Sequence, residues 1–141
     1  MAVTAINSIP VTEMSYGTVE TVTVSAGDEQ KKESLQTTSN VEQAVREYFK
    51  DIPVMVSVAR CESQFRQTFP DGSILRGTID PRDIGVMQIN TGYHASEAVK
   101  YNLDLHNLED NMAYARILYE KKGTQPWNAS AKCWNNIVAV R

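Results

Sequence analysis

The chain is poor in cysteine, with only Cys61 and Cys133 among its 141 residues. Two cysteines are too few for a disulfide scaffold, and their separation fits neither a CxxC redox pair nor a zinc site. They form either one disulfide bridge or two buried thiols, because free cysteine often packs as a small core residue. The spacing alone leaves both alternatives open.

Long apolar runs and clusters of basic charge are also missing. No stretch approaches the roughly 18 to 20 apolar residues that cross a bilayer. The N-terminus, MAVTAINSIP, lacks the basic flank and apolar run of a signal peptide. Any export would therefore depend on a segment outside this sequence or on a longer protein. With a formal net charge of −3 and no Lys- or Arg-rich run, nucleic acid is not expected as a partner.

Metal-ligand patterns are absent too. The two histidines, His94 and His106, lie in different segments and do not have the spacing of ligands on one helix. We therefore predict no metal site and no cofactor.

The chain has an ordinary globular composition, 42% hydrophobic, which is enough for one domain with a core. Near the N-terminus, TVETVTVS has strand propensity, and the polar SAGDEQKKESLQTTS after it suggests a linker. We therefore predict a flexible or partly β tail over residues 1–37 and a mainly helical domain over residues 38–141. No apolar stripe is left over after the core is assigned, so we expect a monomer.

Two helices are predicted at the start of the domain. Ser39 and Glu42 have the spacing of a capping box that opens a helix, and Pro53 suits the first turn of a second helix. In the second helix the apolar residues recur at helical spacing. That row consists of Val54, Val58, Cys61 and Phe65.

Glu62 is the polar residue beside this apolar row. It follows Val58 by four positions and Ala59 by three, so its side chain leaves the helix on or beside the inner face. A carboxylate desolvated by apolar neighbours has a raised pKa and can deliver a proton as a general acid. The alternative is that the helix ends here and Glu62 points into solvent.

The segment TFPDGSILRGTIDPRDIGVMQIN is rich in turn formers and predicts an irregular hairpin or loop. A clear helix follows, which begins at Asn107 with Asp110 three positions on and ends before Gly123. Asn111 and Tyr114 stand at the edge of its apolar row.

Four stretches, ARCESQF, DIGVMQIN, DNMAYARILYEKKG and PWNASAKCW, together resemble the lysozyme-like superfamily. The resemblance is closest to the soluble lytic transglycosylase type of domain and covers about residues 38 to 136. It implies a lysozyme-like helical domain with a small irregular β-hairpin. It also implies a peptidoglycan-cleaving enzyme that acts outside the cytoplasm, in the periplasm, at the cell surface or as a secreted protein.

Carried over by position, the resemblance makes Glu62 the catalytic acid and base. One carboxyl would suffice, because the N-acetyl group of the substrate supports the developing charge and the C6 hydroxyl closes a 1,6-anhydro ring. For Asn111 and Tyr114, core packing is the alternative to a place in the cleft. The substrate-binding residues implied by the resemblance are Ser63, Gly85, Met87, Gln88, Asn90, Asn111 and Tyr114.

A second carboxylate would change the expected reaction. Goose-type lysozymes, similar in GVMQIN and YH, draw one from the loop that here contains Asp71, Asp80 and Asp83. With a separation of roughly 6.5 to 9.5 Å from Glu62, such a group leaves room for a water and gives an inverting hydrolase. Asp83 is the candidate, since Asp71 and Asp80 stand at common turn positions. A glycan-binding module without catalysis is a further alternative.

The resuscitation-promoting-factor branch of the superfamily is similar in CES and in the late CW. This resemblance implies that Cys61 is bridged to Cys133. The chain departs from the family near its end, where PWNASAKCW replaces an Ala-Tyr-Asn-Ala-Gly-like stretch. Substrate contacts from that region are thus not carried over, although Trp127 offers a ring on which a sugar would stack.

Overall fold

The computed structural model describes residues 26–139, with side chains for residue 31 and residues 37–137. This part of the chain is mainly helical with one small antiparallel hairpin, so the predicted fold class is confirmed. The elements are α1 (Ala26–Tyr48), α2 (Pro53–Ser63), β1 (Asp83–Ile84), β2 (Ile89–Asn90), α3 (Thr91–Lys100), α4 (Leu108–Lys122), a 3-10 helix (Gln125–Ser130) and α5 (Ala131–Ala139).

The first helix begins earlier than predicted. α1 starts at Ala26 and runs through most of the polar stretch that was expected to be a linker, so Ser39 and Glu42 lie inside the helix. Residues 28–36 are mostly Glu, Gln, Lys and Leu, which favour helix, so the polarity of this stretch accompanies a helix and not a linker. The predicted strand-like segment TVETVTVS lies outside the described residues.

The ends of α2 and α4 follow their sequence signals. Pro53 is the first residue of α2, which ends at Ser63, so Glu62 lies in its last turn. The Asn107 side chain accepts a hydrogen bond from the Asp110 N–H at 3.1 Å and caps α4, and Gly123 with φ +61° ends it. Both predicted ends of α4 are therefore confirmed.

The core forms around α2. α2 packs against α5, α1 and the 3-10 helix, and its buried side chains belong to one apolar cluster with those of α1, the hairpin, α4, Trp127 and Trp134. Polar Asn111 is also fully buried. The most buried large apolar side chains are Val45, Phe49, Met55, Val58, Ile84, Val86, Met87, Met112 and Tyr114.

Two buried amides fix the turn of the hairpin, in which Asp83 pairs with Asn90 and Ile84 with Ile89. The Val86 N–H donates to Gln67 Oε1 at 2.8 Å, and the Met87 N–H donates to Asn111 Oδ1 at 3.0 Å. Buried polar groups are costly unless they are hydrogen-bonded, so these bonds hold the turn in one conformation.

Gly85→Ala is expected to destabilise the protein by about 3 kcal/mol. Gly85 has φ +75°, and an added Cβ would lie 2.5 Å from Asn111 Nδ2 and 2.7 Å from Gln67 Oε1. Chemical denaturation measures the loss. Gly72→Ala is the matched control, because Gly72 has φ +86° with open space around it and should lose only about 1 kcal/mol. Equal losses in the two variants would show that the close approach does not matter.

Candidate active site

Glu62 lines a cleft of about 370 Å³ that lies between the hairpin, α3, the end of α4 and the 3-10 helix. We call it the Glu62 cleft. Of the predicted site residues, it brings together Glu62, Asp83, Gln88 and Asn90. The other lining residues are Ile89, Tyr93, His94, Leu118, Lys122, Gln125, Pro126, Trp127 and Ala129.

Glu62 is half-buried in the last turn of α2. Burial raises the pKa of its carboxyl above the usual value, and the negative charge of Asp83 raises it further. A hydrogen bond of 2.5 Å from Ser130 Oγ to Glu62 Oε1 acts in the opposite direction and lowers the pKa. Burial is the largest of these effects, so Glu62 keeps a proton to higher pH than an exposed glutamate does.

Asp83 is held in place by Asn90, its partner across the hairpin. The Asn90 amide donates to Asp83 Oδ1 at 2.8 Å and to Asp80 Oδ2 at 3.1 Å. Its carbonyl oxygen accepts from the Gly92 N–H at 3.0 Å and so caps α3. Asp80 is also paired with Arg82, which keeps the pKa of Asp80 well below its usual range. The predicted substrate-binding Asn90 therefore links two carboxylates to the start of α3.

Gln88 lines the cleft from the end of the hairpin turn. It has φ +49°, and its Nε2 donates to the Gly85 carbonyl at 2.9 Å. A left-handed residue other than glycine is uncommon and often marks a functional or strained position. The turn thus places Gln88 in the lining of the cleft.

The expectation that Asn111 faces the cleft is wrong. Asn111 is fully buried, and its Nδ2 donates to the carbonyls of Ile84 at 3.1 Å and Leu105 at 2.9 Å. Together with the bond from the Met87 N–H, these contacts use the whole amide to fasten the hairpin to α4. The hairpin lies over this face of the helix, which the spacing within α4 could not show.

Tyr114 is also buried and does not line the cleft. Its hydroxyl lies 3.0 Å from Nδ1 of His94, a residue that does line it, and 3.4 Å from Glu97 Oε2. Burial, with the nearby charge of Glu97, raises the pKa of Tyr114 to about 12. Tyr114 therefore supports the cleft wall from behind.

Three other predicted residues, Ser63, Gly85 and Met87, are buried and lie outside the cleft lining. Ser63 Oγ donates to the Ala59 carbonyl at 3.0 Å, an internal bond of α2. The Met87 carbonyl accepts a hydrogen bond from Trp127 Nε1 at 2.9 Å. These residues pack beneath the residues that line the cleft and do not form part of its surface.

The predicted disulfide is present, with an S–S distance of 2.07 Å and 6.0 Å between the Cα atoms of Cys61 and Cys133. It joins α2 to α5. Glu62 directly follows Cys61, and Ser130 precedes Cys133 by three residues, so the bridge and the Glu62–Ser130 hydrogen bond tie the same two parts of the chain.

Comparison of the chain with protein-family models, with curated proteins and with solved structures finds no match. The lysozyme-like resemblance therefore stays a prediction. Within residues 26–139 no helix is long and apolar enough to cross a membrane. Nor do the His, Cys, Asp and Glu side chains that the structure describes gather in a group of three or more suited to a metal.

Sequence reasoning missed several residues in and around the cleft. Ser130, which contacts Glu62 but does not itself line the cleft, is not among the predicted site residues, and nothing in its spacing links it to Glu62. Trp127, expected to offer a sugar-stacking face, is 3% exposed. Tyr93 is 76% exposed beside the cleft and is the more accessible aromatic ring.

Proposed function

We propose that the protein is a peptidoglycan lytic transglycosylase that cleaves the β-1,4 bond between N-acetylmuramic acid and N-acetylglucosamine. The observation that carries this proposal is Glu62, a half-buried carboxyl with a raised pKa in an open cleft. A general acid works best when its pKa lies near the operating pH. Burial at Glu62 shifts the pKa in that direction.

In the proposed reaction Glu62 acts twice. The protonated carboxyl first gives its proton to the glycosidic oxygen as the bond from C1 to that oxygen breaks. The N-acetyl carbonyl oxygen of the substrate supports the positive charge that develops at C1. The Glu62 carboxylate then takes the proton of the C6 hydroxyl, and O6 bonds to C1. The products are a free 4-hydroxyl and a 1,6-anhydro ring, and no water is consumed.

Gln88 is the polar candidate for orienting the sugars, because the Asn90 amide is already engaged by Asp80, Asp83 and Gly92. Gln88 lies in the Glu62 cleft and offers an amide oxygen, and Tyr93 of α3 offers an exposed ring there. Sugars present hydroxyl and acetamido groups as well as apolar faces, so an amide and an aromatic ring suit them. The buried Asn111 contributes by holding the hairpin that carries Gln88.

An inverting hydrolase is the second candidate function, and Asp83 favours it. Asp83 lines the same cleft, and its charge helps to raise the pKa of Glu62. In such an enzyme Asp83 would take a proton from a water that attacks C1 from the face opposite to Glu62. Asn90 donates a hydrogen bond to Asp83 Oδ1. No described residue donates to the other carboxylate oxygen of Asp83, Oδ2.

Mass spectrometry of the soluble products from purified peptidoglycan tests the two chemistries with the full chain. We expect fragments that end in 1,6-anhydro-muramic acid, and Asp83→Asn should leave that product unchanged. Reducing ends that disappear in Asp83→Asn would instead establish hydrolysis. Wild-type protein that binds the glycan and releases no fragments would overturn both.

The disulfide supports an extracytoplasmic place of action. Disulfides persist in oxidising compartments and are rare in the cytosol of most organisms. Peptidoglycan also lies outside the cytoplasm, so the redox chemistry of Cys61 and Cys133 agrees with the proposed substrate.

A further inference from the structure

The Ser130 hydroxyl has two acceptors within reach and only one proton. Its Oγ lies 2.5 Å from Glu62 Oε1 and 3.1 Å from the Trp127 carbonyl oxygen. The Trp127 carbonyl already accepts from Trp134 Nε1 at 3.1 Å, whereas no other described residue donates to Glu62 Oε1. Since a hydroxyl donates one hydrogen bond at a time, the shorter contact to Glu62 takes the proton.

The other carboxyl oxygen, Glu62 Oε2, has a different environment. No described residue donates to it, yet among the described side chains no buried nitrogen or oxygen lacks a partner. Oε2 is therefore accessible to solvent. Because Glu62 lines the cleft, this access is through the cleft. The two oxygens of one carboxyl are thus divided between a fixed protein contact and the open site.

We propose that Ser130 is a positioning residue that, by donating to Oε1, keeps the acid proton of Glu62 on Oε2, the oxygen open to the cleft. A carboxylic acid carries its proton on one oxygen, and the other is the better acceptor. Oε2 then gives this proton to the glycosidic oxygen and later takes the proton of the C6 hydroxyl. Ser130 stays bound to Oε1 in both steps. This role rests on the proposed function.

The charged groups around Glu62 determine how its pKa should change when the Ser130 hydroxyl is removed. Titratable groups from three other elements line the same cleft: Asp83 of β1, Tyr93 and His94 of α3, and Lys122 of α4. Among the influences on the pKa of Glu62, the Ser130 hydrogen bond favours the ionised form, while burial and Asp83 oppose it. Removing the hydroxyl leaves only the opposing influences.

Ser130→Ala is the test, and it has two readouts. Titration of the ¹³C-labelled Glu62 carboxyl by NMR, without substrate, should show a pKa about one pH unit higher than in the wild type. With peptidoglycan, the basic limb of kcat/KM should move up by the same amount. At low pH, kcat should fall several-fold with KM little changed, because Ser130 no longer fixes the position of the Glu62 carboxyl or the oxygen that carries its proton. Ser130→Thr retains the hydroxyl and should restore both properties.

Ser73→Ala is the matched control. Ser73 is exposed and its hydroxyl bonds Asp71, away from the Glu62 cleft, so neither readout should change. A purely structural Ser130 would lower the melting temperature without moving the titration of Glu62, and an unmoved titration overturns the proposal. If the wild type cleaves nothing while the NMR shift is present, the proposed function fails and the positioning of Glu62 by Ser130 stands.

Discussion

Glu62→Gln is expected to lower the rate of peptidoglycan cleavage by about 10³-fold, the middle of the range for loss of a general acid–base group. The residue serves in both proton transfers, and glutamine can perform neither. The substitution is nearly isosteric, and the amide oxygen can still accept the Ser130 hydrogen bond. Release of soluble fragments, followed by mass spectrometry, measures the loss.

The same substitution should not destabilise the fold. Because the folded-state pKa of Glu62 is raised, the folded protein holds this proton more tightly than the unfolded chain. The resulting stabilisation is complete below the unfolded pKa and is lost as the pH rises through the folded pKa. At pH 7 the wild type therefore carries a desolvated charge that glutamine lacks. We expect the variant to melt at the same temperature as the wild type or higher at pH 7.

Glu120→Gln is the control, since Glu120 is an exposed glutamate on α4. It should change neither the cleavage rate nor the melting temperature. Cleavage by Glu62→Gln within tenfold of the wild-type rate would show that Glu62 is not the acid. If Glu62→Gln melted well below the wild type at pH 7, the Glu62 carboxylate of the wild type would not be a destabilising, desolvated charge.

Local sequence signals predicted those parts of the molecule that depend on near neighbours. Both ends of α4 follow from Asn107 and Gly123, whose contacts lie within a few residues. Glu62 has features of both sequence-based alternatives, a side chain on the inner face and a side chain at the helix end that points into solvent. α2 does end one residue later, as the solvent-pointing interpretation required, yet the side chain is half-buried at the cleft.

Residues whose role depends on distant parts of the chain were not predictable in the same way. Asn111 stood at the edge of an apolar row and became fully buried because the hairpin, 24 residues earlier in sequence at Met87, packs over it. Ser130 meets Glu62 across 68 residues. No pattern in the sequence encodes such a contact, and only the disulfide beside it indicates that the two segments meet.

Removing the disulfide by Cys61→Ala and Cys133→Ala together should lower the free energy of unfolding by about 4 kcal/mol, the loop-closure value for a bridge of this span. The bridged residues are separated by 72 positions, so the oxidised unfolded chain is strongly restricted. Small domains have a total stability of roughly 5 to 15 kcal/mol. Denaturation by guanidinium, with and without a reductant, measures the loss.

The bridge should matter for the cleft as well as for stability. Cys133 is exposed, so its replacement removes little packing, and the loss comes from the covalent tie between α2 and α5. That tie lies next to Glu62 and three residues from Ser130. We therefore expect the Glu62 carboxyl of the folded double variant to titrate nearer to that of Ser130→Ala than to that of the wild type.

Reductant provides the internal control for this prediction. It should destabilise the wild type to the level of the double variant and leave the double variant unchanged, because no other cysteine exists in the chain. A loss below about 1 kcal/mol would have one of two meanings. Either residual structure already restricts the reduced unfolded chain, or packing holds α2 and α5 together in the folded state without the bond. In that case the Ser130 contact would survive reduction, and the titration of Glu62 would be the same in both redox states.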